Sequence, residues 1–152
     1  MSQPFDQRAL RTVHLVPLTA YGEDGSLNLD GQAEHIARMS TAGMKVFLPA
    51  AGTSEFHSLS ADEIVDLVRV TCEASSDDAT VFAPVGFQPH HAIEIGERCM
   101  ELGADGIMFM PFVHPYLGNE GARDYDLEVI AATKCPALIY KKAAIPSDAL
   151  LL

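Results

Sequence analysis

The stretch "KVFLPAAGTSEFHSLSADE", residues 45–63, runs an apolar segment into a turn of small polar residues and then into a helix start. The apolar part reads as a strand, because β-branched and aromatic residues pack well on a pleated surface. Ser60 followed three residues later by Glu63 is a capping box, and "IVDLVRVTCEA" after it places Ile64, Leu67, Val68 and Thr71 on one helical face. Strand, turn and helix thus follow one another without a break. Whether this unit is repeated decides the fold.

It is repeated along the chain. Strand-like apolar runs occur at "TVHLVPLT" (12–19), "TVFAPVGF" (80–87), "GIMFMPF" (106–112) and "PALIY" (136–140), about thirty residues apart. Helical segments fill the gaps. Asn28 precedes "LDGQAEHIARMSTAG", in which Ile36, Met39 and the Gly43 stop fit an amphipathic helix, and Pro89 stands at a first helical position before "HHAIEIGERCMELGA". A fourth helix is predicted over "ARDYDLEVIAAT". Strands apolar on both faces that alternate with helices indicate a parallel sheet covered by its helices. With five units in 152 residues, periodicity alone favours an open doubly wound sheet, since an eight-stranded barrel needs about 250 residues.

Composition narrows the function. About half of the residues are apolar, enough for one domain with a real core, and no run reaches membrane-spanning length. "MSQPFDQR" lacks the charged-then-apolar pattern of a signal peptide, so a cytoplasmic location is expected. Cys72, Cys99 and Cys135 are odd in number and widely spaced, which suits reduced thiols rather than a disulfide frame. The net charge of −11 with no basic cluster argues against nucleic acid and anionic membrane surfaces as partners. His90 and His91 have no carboxylate or thiol at ligand spacing, so no metal is assigned.

The turn "AAGTSEF" is the chemically suggestive element. Consecutive backbone N–H groups at the carboxyl end of a parallel strand can hold a carboxylate or phosphate, and Thr53 and Ser54 add hydroxyls. An ordinary βα turn, with Thr and Ser serving local backbone groups, fits the same residues. Glu55 can cap or pair nearby.

The order "VPLTAYGEDGSLNLDG", "AAGTSEFHSLSADE", "MELGADGIMFMPF" and "EGARDYDLEVIAATKCPALIY" resembles the first five βα units of the dihydrodipicolinate synthase and N-acetylneuraminate lyase family, from about Val13 to Tyr140. "GTSEF" with Phe56, and the length of the loop from Pro111 to Gly121, are most similar to its 5-dehydro-4-deoxyglucarate dehydratases. The resemblance implies a partial TIM (β/α)8 barrel of five βα units with parallel strands. Residues 1–152 are then a single N-terminal portion of one barrel domain. The implied activity is that of a lyase or dehydratase acting on a 2-keto acid, pyruvate-like or a keto-deoxy sugar acid, through a Schiff base. No dissociable cofactor is implied.

Carried over residue by residue, the resemblance makes Thr53 a proton-relaying hydroxyl and gives the amides of Thr53 and Ser54 the substrate carboxylate. Ser54 stands where the family usually has glycine, which raises the question of a positive φ. Tyr140 takes the place of the catalytic tyrosine at the end of the fifth strand. Pro17 and Thr19 line the pocket floor, and Gly86 with Phe87 lets the backbone pass close to substrate or simply makes a turn. Tyr116 is a candidate for the tyrosine that a neighbouring subunit contributes, and His114 reads as a solvated loop residue. The Schiff-base lysine belongs on a sixth strand, beyond Leu152. Lys141 and Lys142 are solvated rather than nucleophilic, and Ile145 replaces a carboxylate-binding arginine. A homo-oligomer or a complementary barrel fragment is the expected macromolecular partner. The alternative is a non-catalytic keto-acid or anion-binding module, or an inactive relic, built on an open five-stranded parallel sheet.

Overall fold

The computed structural model describes residues 5–111 and 118–141. Five strands, β1 (His14–Leu15), β2 (Val46–Phe47), β3 (Thr80–Val85), β4 (Gly106–Phe109) and β5 (Ala137–Ile139), form one sheet in the order β1-β2-β3-β4-β5. Every pairing is parallel. Helices α1 (Leu29–Thr41), α2 (Ala61–Ala74), α3 (Pro89–Glu101) and α4 (Asn119–Thr133) connect them. A doubly wound sheet reverses its strand order part-way, which this sheet does not do. The open-sheet alternative is thereby set aside. The five strands form a curled half-barrel, and α1 packs on α2, α2 on α3 and α3 on α4 around its outside.

Local signals start and stop the helices as their chemistry requires. Asn28 accepts from the Gly31 N–H at the start of α1, and Ser60 and Glu63 make the full capping box of α2. Pro89 occupies the first turn of α3. Gly43 and Gly103 follow α1 and α3 with φ of 95° and 99°, a backbone that side-chain-bearing residues rarely adopt. Helix α4 begins at Asn119, three residues ahead of the expected start. Its N-cap is Gly118, which has no side chain with which to announce itself.

The two faces of the sheet are distinguishable from close contacts. A Cβ on Gly96 of α3 would lie 3.4 Å from Ile107 and 3.8 Å from Val85, and Phe109 meets Tyr125 of α4 edge-on, so these strand residues face the helices. The alternate residues Phe82, Gly106 and Met108 face inward. Although the described residues form five strands and not a closed barrel, Leu48, Phe82, Met108 and Met110 are each at most 6% exposed. Curling packs these inner side chains on one another. Phe5 helps by meeting the Phe82 ring edge-on at 5.6 Å, next to a short 3-10 turn, Gln7–Leu10.

Asp126 on α4 is half-buried, and burial pushes its carboxyl up to about 6. The folded chain then holds that proton more tightly than the unfolded chain. The stability it contributes is fully present below the ordinary value of 3.8 and is lost as pH rises through about 6. Solvent access keeps the effect modest. Asp126→Asn is expected to remove part of the fall in Tm across that window, measured as the wild-type minus variant difference at several pH values. A difference that does not change with pH would contradict this.

Candidate functional site

The carboxyl ends of the strands gather at one rim. After β2 the chain makes a tight turn in which Ala50 and Glu55 both take positive φ, 53° and 67°. Phe87, after β3, does so at 62°. Three non-glycine residues in this sparsely occupied region at one rim are stored strain, of the kind that clusters at functional sites. Ser54 is not among them. The left-handed residue is Glu55, one position later, so the serine costs no backbone strain.

Within the turn, the Glu55 N–H donates to Gly52 O at 3.2 Å and the Phe56 N–H to Ala51 O at 3.2 Å. The N–H groups of Thr53 and Ser54 donate to no acceptor among the described residues. Thr53 is exposed. Ser54 is fully buried, and its hydroxyl donates to the carbonyl of Pro17, also buried, at the end of β1. That hydroxyl is therefore already engaged, which leaves the backbone N–H as the donor of Ser54 with no acceptor among the described residues. Thr19 closes the contact from the other side, its Oγ1 donating to Ser54 O at 2.8 Å. The Tyr21 phenol donates to Glu55 Oε2 at 3.3 Å, and its own ionisation is held up by burial and by that carboxylate.

Gly86 does not open space for a ligand in this arrangement. A Cβ there would sit 3.0 Å from Cε1 and Cζ of Phe56, whose buried ring lies against the glycine. Phe56 in turn stacks on Phe87 with centroids 4.8 Å apart and planes 9° from parallel, and His57 meets both rings edge-on. This aromatic cluster was not read from the sequence. Its only signal was an aromatic directly after each of two strand-end turns.

Tyr140 follows β5, and its N–H donates to Phe109 O at 3.2 Å. It stands two residues beyond Leu138, the partner of inward-facing Met108, and so on the same face of the chain, the inner one, at the rim, 46% exposed. Lys141 is exposed. His114, Tyr116, Lys142 and Ile145 lie outside the described residues. His91 Nδ1 shares a hydrogen bond with Gln88 Oε1 at 2.8 Å, and no group of three or more His, Cys, Asp or Glu that could hold a metal ion occurs among the described residues. Burial pushes the Cys72 thiol up to about 11 and that of Cys99 up to about 12, which leaves both protonated and unreactive.

A parallel sheet in unbroken strand order with a polar turn at the rim is the geometry in which barrel enzymes place their chemistry. The sequence pattern of the dihydrodipicolinate synthetase family matches residues 9–149. The chain belongs to that family. Within it, the chain is 37% identical over 129 residues to a probable 5-dehydro-4-deoxyglucarate dehydratase of Streptomyces coelicolor, covering 83% of this chain and 40% of that protein. It is 30% identical over 130 residues to a protein of the same description from Rhodococcus jostii, covering 84% and 42%. Among solved structures, a dihydrodipicolinate synthase from Bacillus clausii superposes with a TM-score of 0.88 at 34% identity, covering 95% of this chain and 49% of that one. An N-acetylneuraminate lyase from Mycoplasma synoviae shares the fold, with a TM-score of 0.81 at 21% identity over 92% and 48%. This member of the dihydrodipicolinate synthetase family spans about 40% of the length of the curated relatives it matches. No helix among its described residues is long and apolar enough to cross a membrane.

Proposed function

We propose that the chain forms the first five βα units of a (β/α)8 lyase or dehydratase acting on a 2-keto acid. One observation carries the reading: two consecutive amides, of Thr53 and Ser54, meet no acceptor among the described residues at the carboxyl end of β2. Adjacent N–H donors suit the two oxygens of a carboxylate, whose charge strengthens each bond. The relatives described as 5-dehydro-4-deoxyglucarate dehydratases favour a keto-deoxy sugar acid over pyruvate.

In this reading the imine lysine comes from a sixth strand, which is not among the described residues. Its amine adds to the keto carbon and water leaves as the C=N bond forms. The iminium then draws electrons from the neighbouring carbon, so that a proton there can be removed. Thr53 and Tyr140 pass protons at that site, Thr53 from the β2 turn and Tyr140 from the end of β5. Lys141, exposed at the strand end, is not assigned the nucleophile's role in this reading.

Titration of the labelled chain with pyruvate and with a longer 2-keto acid is expected to shift the amide resonances of residues 52–55 at millimolar ligand. A methyl ester of the same acid, which lacks the carboxylate, should leave them in place. Equal response to acid and ester, or none to either, overturns the carboxylate assignment.

A further inference from the structure

We infer that Thr19 is a positioning residue for the carboxylate-binding turn: with Ser54 it forms a two-way lock that fixes the direction of the Thr53 and Ser54 amides. The inference rests on the reading of that turn given above. Two hydrogen bonds run in opposite senses between the end of β1 and the turn after β2. Thr19 Oγ1 donates to Ser54 O, and Ser54 Oγ donates to Pro17 O. Ser54 is thus held by its hydroxyl and by its carbonyl, which restricts rotation about its φ and ψ and so the direction of its amide.

The β1 side of the lock is itself anchored. The Ala20 N–H donates at 2.9 Å to Oε1 of Gln32, a side chain 1% exposed on α1, and Ala20 O accepts from the Asn28 N–H at 2.9 Å. The segment carrying Pro17 and Thr19 is therefore tied to a helix and cannot follow the turn if the turn moves. Tyr21 adds a third tie through Glu55, the residue that holds φ at 67°. The strained turn that carries the two amides is held by contacts from a segment more than thirty residues earlier. Donors fixed before the ligand arrives save the ordering cost of binding, which is how a residue that touches no substrate raises affinity.

The experiment compares the wild-type chain with Thr19→Val, Thr19→Ala and Thr19→Ser, each titrated with pyruvate while the amides of residues 52–55 are followed, with Tm measured alongside. Loss of one hydrogen bond that orients both donors is expected to weaken pyruvate binding about tenfold in Thr19→Val. Thr19→Ser, which restores the donor without the methyl group, should recover the wild-type Kd. Thr19→Ala serves the same comparison if valine disturbs folding. Wild-type binding with equal affinity in a folded valine or alanine variant overturns the lock while leaving the carboxylate site intact. Failure of the serine variant to recover the affinity also overturns it, because the hydroxyl is then not the cause. An unresponsive wild-type turn overturns the carboxylate reading itself, and the lock with it.

Discussion

Gly106→Ala is expected to destabilise the chain by about 3 kcal/mol or more, a large share of the roughly 5–15 kcal/mol that holds a small domain together. A Cβ at that position would stand 2.4 Å from the carbonyl oxygen of Pro136 and 2.6 Å from Cε1 of Phe82. Neither neighbour can give way. The Pro136 carbonyl accepts the Ile107 N–H at 2.9 Å, one of the bonds that hold β5 to β4, and displacing it costs that bond. Phe82 is fully buried and meets Phe5 edge-on. Thermal or urea unfolding of the variant measures the loss. Adding Phe82→Leu should relieve the ring contact but not the carbonyl contact, and so restore only part of it. Full restoration would show that the carbonyl was not limiting, and a Gly106→Ala chain as stable as wild type would refute the close approach altogether.

What was legible in the sequence was what short-range chemistry decides. The capping box of Ser60 and Glu63, the Asn28 cap and Pro89 act within three residues of themselves, and each helix start they mark is where the structure has it. The unit repeat led to the right strands, because a parallel strand buried on both faces has to be apolar throughout. The unbroken strand order was not contained in the periodicity, which favoured the doubly wound alternative; it came from the family resemblance and is borne out by the pairing. Within the site, Thr53, Ser54 and Tyr140 could be placed at strand ends. The partners of Ser54 could not. Its hydroxyl reads as an exposed ligand group until Pro17, 37 residues earlier, is seen to accept it, and no local rule links those two positions. The same is true of the ring of Phe56 over Gly86 and of the positive φ at Glu55 rather than at Ser54. Each depends on where two loops from different strands meet.

The inner face also bears on how these 152 residues behave alone. A half-barrel turns the side chains of its interior toward an open mouth, and apolar surface left wet there costs about 25 cal/mol per Å². In the structure the centre of that face is dry, with Leu48, Phe82, Met108 and Met110 nearly inaccessible. What remains open is the margin. Val13 and Leu18, flanking β1, are 62% and 63% exposed, and Tyr140 after β5 is 46% exposed. Among the described residues strands β1 and β5 each pair on one side only, so at both margins a row of backbone donors and acceptors meets no described strand. Beside β5 lies a cavity of about 530 Å³ lined by Phe5, Leu10, Phe82 and Leu138 among others, large enough to take several side chains of a further strand. The chain expressed by itself is therefore expected to fold and to self-associate through these margins. Light scattering should report dimers or larger species whose mass rises with concentration, together with cooperative thermal unfolding. A separately expressed piece carrying strands six to eight of a related barrel should dissolve these species into a one-to-one complex, because pairing at β5 and filling the cavity satisfy the same groups that drive self-association. A monomer at high concentration with cooperative unfolding would show that the open margins are tolerated as they stand. Non-cooperative melting would show that curling alone does not make the half-barrel a folding unit.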